Sequence, residues 1–487
     1  MRAHSVFGLC LLVSLLAAGQ ASANGRFPRA QRLLEDPRDP RHLILAATYG
    51  LLVTANRGAS WQYVCEAAYG ERELSVDALT ALSVEGALLA GIYSGVSRAE
   101  RDACDFRRTL WRSNREAVPD FALSVSVPGR VLAIMMAIPE EGEPYSQLYR
   151  SDDDARTWQP LGERLPRVMR TPLTIDVAPS DAERIYLSGL GVDDVGVLLR
   201  SSDGGQSFES LPIPTDSASF EYPYIAAIDE KDPDRLYVRT DFWEYDPETG
   251  SASARDALLY SDDAGVSFSE LARANGKLFG FAFSPDGSEV LLGYGDPLEA
   301  GGSRLTDLDA LGIYRAPKGS SAFEKRYAGS VGCLSWTEQG IYVCTHESQT
   351  GFSLGLIEQT DFDVARPPEL EPLLVLADVV GPIECEACST GAACPSYWQS
   401  TCQGWGREDC DELTSPVCRG EGGAAGLEPI GGAASEPGGG AAVAPRGNSG
   451  ASGCSCRVVP ARSTLAGSVL AGLALLARRR ARVRQAR

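Results

Sequence analysis

Histidine is almost missing from this chain, with three in 487 residues. One of them, His4, sits in the first residues, so the body keeps only His42 and His346. The sequence places His42 in a turn and His346 in a loop, and neither has a Ser or Cys partner in a recognisable motif. That argues against nucleophilic triad chemistry. No glycine-rich phosphate or dinucleotide motif is present either. Bases are also scarce, 45 against 65 acids, for a net charge of −20. Arg2 and the eight arginines from Cys454 onward are nine of those bases and bring no acids, so the body between stands at −29. Such a body excludes nucleic acid and anionic membrane as partners and favours cations or a basic partner. Long helical periodicity is lacking too, because Gly, Pro and Asp recur every few residues.

What is present begins at the ends. Residues 1–23 read as a secretory signal peptide: Arg2 and His4, the apolar run from Val6 to Ala18, and the small-residue site Ala21-Ser22-Ala23. Residues 420–453 are rich in Gly, Ala and Pro and read as a flexible linker. Residues 454–487 hold Cys454-Ser455-Cys456, an apolar stretch from Leu465 to Ala477, and an arginine cluster from Arg478 to Arg487. The apolar stretch is short against the roughly 20 residues a span needs, and the arginines should stay cytoplasmic.

Between these ends one turn pattern recurs. It reads Thr54-Ala-Asn56-Arg-Gly58-Ala-Ser60-Trp61, then Ser151-Asp-Asp153-Asp-Ala155-Arg-Thr157-Trp158, Ser201-Ser-Asp203-Gly-Gly205-Gln-Ser207-Phe208 and Ser261-Asp-Asp263-Ala-Gly265-Val-Ser267-Phe268. Asn56, Asp153, Asp203 and Asp263 are separated by 97, 50 and 60 residues. The first gap leaves room for a degenerate unit, expected at Leu110 to Asn114. Further units are expected at Gly312 to Phe323 and at Leu354 to Phe362. Each unit orders as apolar strand, polar turn, apolar strand, variable stretch, apolar strand, boxed turn, short strand. Four strands in roughly 45–50 residues make one propeller blade. The expectation is an all-β propeller over residues 24–375 with seven blades, six and eight being the neighbouring counts. In each box the carboxylate accepts backbone N–H groups across the turn, the Gly takes a positive φ, and Trp61, Trp158, Phe208 or Phe268 plugs between sheets. Ala155 at the Gly position should be strained.

These boxes resemble the BNR/Asp-box repeats of the sialidase and sortilin-like superfamily. The tripartite tail resembles the MYXO-CTERM surface-sorting signal. The second resemblance implies processing at Cys454 or Cys456 by a sorting protease, a short C-terminal transmembrane helix, and display at the cell surface or outer membrane, with release as an option. Sortilin-type receptors are similar in layout, with a boxed propeller, a cysteine module and a membrane-proximal tail.

The thirteen cysteines sort by position. Cys10 leaves with the signal peptide. Cys65, Cys104, Cys333 and Cys344 fall in the propeller. Cys385, Cys388, Cys394, Cys402, Cys410 and Cys418 crowd a module over 376–419. For an exported chain these ten read as disulfides. Cys333 should pair with Cys344 on the next strand, and Cys65 with Cys104 by elimination. The six of the module allow 15 connectivities. A zinc reading of Cys385-x-x-Cys388 lacks a histidine, so no metal or cofactor is expected.

A sialidase needs an arginine triad and a Tyr–Glu pair, and its Phe/Tyr-Arg-Ile-Pro start is matched only weakly by Arg26-Phe27-Pro28. Other Asp-box glycosidases need a carboxylate pair, and no pair stands out among so many acids. The longest stretches, about 93–108, 139–147, 189–196, 241–256, 294–311 and 346–352, are expected between second and third strands, on the face opposite the boxes. Most are acidic, though without the regular spacing of a calcium loop. The one at 241–256 carries Asp241, Trp243, Glu244, Tyr245 and Asp246. The reading is a monomeric, non-enzymatic surface protein whose acidic loop face binds an extracellular protein, peptide or glycan, with Trp243 and Tyr245 as anchors. The alternative is an extracellular glycoside hydrolase with its carboxylates at the propeller mouth.

Overall fold

The computed structural model describes residues 30–416 and 418, apart from 71–78, 93–94, 112–115, 140, 216–220, 247–250, 297–307 and 365–366. The signal segment, the linker and the sorting segment therefore lie outside the described residues. Within them no helix is long and apolar enough to cross a membrane.

Seven antiparallel blades of four strands make the body, a seven-bladed β-propeller; the first and third carry one short added strand each, and the fifth has a separate hairpin between its second and third strands. The first blade is Ala30–Asp36, Asp39–Ala47, Gly50–Thr54 and Gln62–Val64; the seventh is Cys333–Thr337, Gly340–Cys344, Leu354–Glu358 and Glu371–Leu374. The first strands of neighbouring blades touch, as Ala30–Asp36 does with Cys333–Thr337 and Met169–Ala178 with Tyr222–Ile228, so they form the inner ring. Second strands are apolar and buried end to end, as in Leu43–Ala47 and Ile185–Gly191, because both faces are covered by neighbouring blades.

The boxed turns join third and fourth strands, and three of them share one bonding scheme closely. In the fourth blade Ser201 Oγ donates to Asp203 Oδ1 at 2.7 Å and accepts the Gly205 N–H at 2.8 Å. Asp203 accepts the Ser207 N–H at 2.9 Å and its hydroxyl at 2.5 Å. Ser261–Ser267 and Ser151–Thr157 repeat this scheme. Asn56 changes it: its amide donates to Ser60 Oγ at 2.9 Å. The two residues after the acid are left-handed, with φ of 67° and 88° at Gly204 and Gly205 and 61° at both Asp154 and Ala155. The turned backbone docks on the turn between first and second strands of its own blade, by Gly204 N–H to Glu183 O and Ala264 N–H to Asp234 O.

The box also wedges against the preceding blade. Trp158 donates its indole N–H to Thr109 of the second blade at 3.1 Å, and Phe208 packs on the core shared by the third and fourth blades. A Cβ on Gly205 would fall 2.9 Å from Leu161 of the third blade, and one on Gly265 would fall 2.2 Å from Leu198 of the fourth. Ala155 is fully buried, so its blade interface makes room for the methyl group.

Three sequence expectations are corrected. Leu110 to Asn114 is not the second boxed turn, since Arg107–Trp111 is the outer strand of the second blade; the turn is residues 100–106, where Arg101 stands at the acid position and the left-handed Ala103, with φ of 54°, at the Gly position. The stretch 93–108 is not an insertion between second and third strands, for Leu88–Ile92 and Gly95–Ala99 nearly adjoin and residues 100–106 are the box-side turn, seven residues long like 202–208. Cys65 does not pair with Cys104. Cys65 bonds Cys394 and Cys104 bonds Cys385, which ties the first two blades to the C-terminal segment. Elimination failed because it assumed that the two cysteine groups close separately. Cys333 bonds Cys344, while Cys388–Cys418 and Cys402–Cys410 close the module internally.

That module lies on the first blade. Gly381–Pro382 adds a short parallel strand to Gln62–Val64, with Val380 N–H on Trp61 O and Ile383 N–H on Tyr63 O. The helix Pro395–Gly404 starts with Pro at its first turn, where no N–H is needed, and buries Trp398 and Cys402, four apart on one face. Trp405 packs edge-on with Tyr63 and with Trp398, and Trp398 lies tilted against Tyr63. The resulting core runs through the first blade, the seventh blade and the module.

Gly265→Ala should destabilise the protein by about 1–3 kcal/mol, since it adds a clash with Leu198 to a left-handed backbone. Ala155→Gly should stay within about 1 kcal/mol. Chemical denaturation of both variants checks the pair; equal effects would contradict the wedge.

Candidate functional site

Connections between second and third strands leave the propeller on the face opposite the boxes. In the first two blades they are tight, but residues 138–144, 192–195, 242–255, 296–311 and 345–353 are long. The fifth-blade connection forms its own hairpin, Trp243–Asp246 against Ser251–Ala254, with Trp243 opposite Ala254 and Tyr245 opposite Ala252. The side chains of Trp243, Glu244, Tyr245 and Asp246 lie outside the described residues.

The rim is not the row of unpaired acids that the sequence suggested. Asp241 pairs with Lys277, which is 2% exposed and also stands 3.3 Å from Asp256. Asp256 is fully buried and accepts the N–H groups of Leu278 at 2.9 Å and Phe242 at 3.2 Å. Burial pushes its carboxyl up to about 6, with Lys277 pulling the other way. Asp194 pairs with Arg170, and Glu143 with Arg167. Asp241 is therefore a structural ion-pair partner. A buried ammonium is tolerated only with such partners. The pairing was invisible in sequence because Lys277 begins the next blade.

Below the rim the inner strands enclose a cavity of about 530 Å³. Arg32, Arg239, Phe279 and Phe281 line it. Arg239 lies over the Tyr224 ring at 4.7 Å and donates to Leu278 O at 3.1 Å. Arg32 is exposed into this space and, among the described residues, has no ion pair or hydrogen bond. Its charge acts instead on Asp120, just before the inner strand Phe121–Leu123, and on Asp176 in Met169–Ala178. Asp120 accepts the Ile175 N–H at 2.8 Å, which stitches the third blade to the fourth. Thr174 repeats the stitch one blade on, accepting the Ile225 N–H at 3.0 Å.

Both carboxyls are partly open to channel water yet walled in by protein. Burial lifts Asp120 to about 7, against the Ile175 N–H and Arg32. Burial, reinforced by Asp120, lifts Asp176 well above the carboxylate range, with Arg32 opposing. Both carboxyls are therefore harder to ionise than a free one. The sequence reading missed Arg32, Asp120 and Asp176. The available signal was a lone acid in the otherwise uncharged run Leu173 to Ala178.

The histidines are structural. His42 lies in a strand rather than a turn and is 3.2 Å from the buried Asp36, which also holds Arg101 at 2.7 Å. His346 is buried. Among the described residues no three His, Cys, Asp or Glu gather as a metal site would require.

No family model matches the chain, and no curated protein matches it. Solved structures do. An ancestral GH74 enzyme is 14% identical, with a TM-score of 0.46 over 69% of this chain and 47% of its own. The GH74 xyloglucanase from Xanthomonas campestris is 14% identical, with a TM-score of 0.35 over 74% of this chain and 66% of its own. Oligogalacturonate lyase from Vibrio parahaemolyticus is 11% identical, with a TM-score of 0.43 over 66% and 86%. The chain spans about half the length of the first and two thirds of the second. At such identities the likeness is one of fold.

Stability should respond to pH in two windows. Asp120, lifted to about 7, stabilises the fold fully below the unfolded value near 3.9, and that contribution is lost as pH rises through about 7. Asp203 and Asp263 are held near 2, chiefly by the hydroxyls of Ser207 and Ser267, so their contribution is present above about 3.9 and lost as pH falls through about 2. Asp120→Asn should flatten the loss of thermal midpoint between pH 5 and 8 and leave the acid limb unchanged. An unchanged slope on the neutral side would contradict the assignment.

Proposed function

We propose that this protein is an exported, surface-displayed propeller that binds an extracellular ligand at the loop-face mouth of its channel, without turning it over. One observation carries the reading: in a propeller whose long connections leave on one face, the inner strands hold a 530 Å³ cavity lined by a guanidinium without a partner among the described residues. Aromatic side chains on the wall, Phe279 and Phe281, suit stacking on a sugar ring or an apolar side chain. Five disulfides support an oxidising compartment, and the signal-like and sorting-like ends support export and display. Trp243 and Tyr245 are the proposed anchors on the hairpin above the mouth.

A second reading is favoured by Asp120 and Asp176. A glycosidase needs one carboxyl protonated and another ionised, and a coupled pair with one member near 7 meets the electronic half of that requirement. Against it, Asp120 is held by the Ile175 N–H as an interblade stitch.

An array of glycans and peptides, followed by turnover assays on every binder, separates the readings. Binding without turnover, weakened about ten-fold or more by Trp243→Ala with Tyr245→Ala, is expected. Turnover abolished by Asp176→Asn would replace the binding reading with the hydrolase.

A further inference from the structure

We propose that the channel mouth receives its ligand by a carboxylate group, with Arg32 as the receiving residue. This rests on the reading of the mouth as the binding site. Arg32 stands apart from the other cations around it. Arg239 is engaged by Leu278 O and Tyr224, Arg170 by Asp194, and Lys277 by Asp241 and Asp256. Arg32 faces an open cavity with no ion pair or hydrogen bond among the described residues. A guanidinium offers a planar fork that a carboxylate fills with two parallel hydrogen bonds.

The neighbouring acids do not take that place. Asp120 is turned to the Ile175 N–H at 2.8 Å, and the structure gives neither Asp120 nor Asp176 an ion pair with Arg32. The groups acting on this pair are Arg32 from the first blade, on both; the Ile175 and Phe121 N–H groups, on Asp120; and Asp120 itself, on Asp176. While they hold a proton they leave Arg32 free. Ionised, they compete for it. The acid-rich body thus contains a local anion seat whose strength falls as pH rises through about 7.

Two sources of the carboxylate are separable by titration calorimetry on the disulfide-bonded chain. One probe pair is an oligouronate and its methyl ester. The other is a short peptide with a free or an amidated C-terminus. In one of the pairs the free acid should bind about ten-fold or more tightly than its neutral partner at pH 6. That preference should vanish in Arg32→Gln, persist in part in Arg32→Lys, and shrink several-fold at pH 8.5. Asp176→Asn should retain more of it at pH 8.5 than the unaltered chain. Equal binding of acid and neutral forms overturns the proposal, as does a preference that survives Arg32→Gln, or failure of both free acids to bind at millimolar concentration. If the neutral forms bind and Trp243→Ala weakens them, the mouth remains the binding site and only the carboxylate assignment falls. Binding indifferent to Arg32, Trp243 and Tyr245 alike removes both.

Discussion

Closing the ring is the constraint on which the rest of this structure depends. Each of the seven blades is built from its own consecutive strands, so no strand is shared between the first blade and the last. The inner and outer contacts of the first and seventh blades would otherwise be two surfaces free to part. The segment after the seventh blade answers this by crossing to the first. It adds a strand to Gln62–Val64, buries Trp398 against Tyr63, and bonds Cys394 to Cys65 and Cys385 to Cys104. These links join residues 329 and 281 positions apart. In the chain-entropy model the first such link is worth roughly 5–6 kcal/mol. A module too small for a core of its own thereby shares the core of the ring it closes.

Once the ring is closed, the boxed turns set its spacing. Three of the turns are held rigid by their own carboxylate and hydroxyls, and the turns dock on their own blades and present aromatic plugs to the preceding ones. The same geometry fixes which connections emerge on the other face. It also leaves the inner strands edge to edge, where Asp120 and Thr174 satisfy N–H groups that no sheet partner reaches. The channel is therefore polar by necessity. Its acids are stitching groups first, and their raised pKa values follow from the enclosure that stitching requires.

The sequence made the periodic features legible. The fold, the blade number, the sixth and seventh units without a boxed acid, and the side on which most long connections emerge all follow from a repeat with local chemistry. The degenerate second unit was misplaced because residues 100–106 carry Arg101 and Ala103 where the box has its acid and Gly, so spacing alone could not fix its register. What sequence could not show was contact across the ring. Lys277 beside Asp241, Cys394 beside Cys65, and Arg32 beside Asp120 and Asp176 each join blades that are remote or newly begun in the chain. Composition made the loop face look acidic. Pairing takes up Glu143, Asp194 and Asp241 among its described acids, above a guanidinium that has no partner among the described residues.

The clasp is tested most directly by hydrogen–deuterium exchange on a chain lacking both long links, Cys65→Ala with Cys394→Ala and Cys104→Ala with Cys385→Ala. A chain lacking only Cys402–Cys410 serves for comparison. If the module closes the ring, protection should fall first in Ala30–Asp36, Gln62–Val64 and Cys333–Thr337, while the third to fifth blades keep theirs. Protection lost evenly over all seven blades, or lost equally in the comparison chain, would contradict the account.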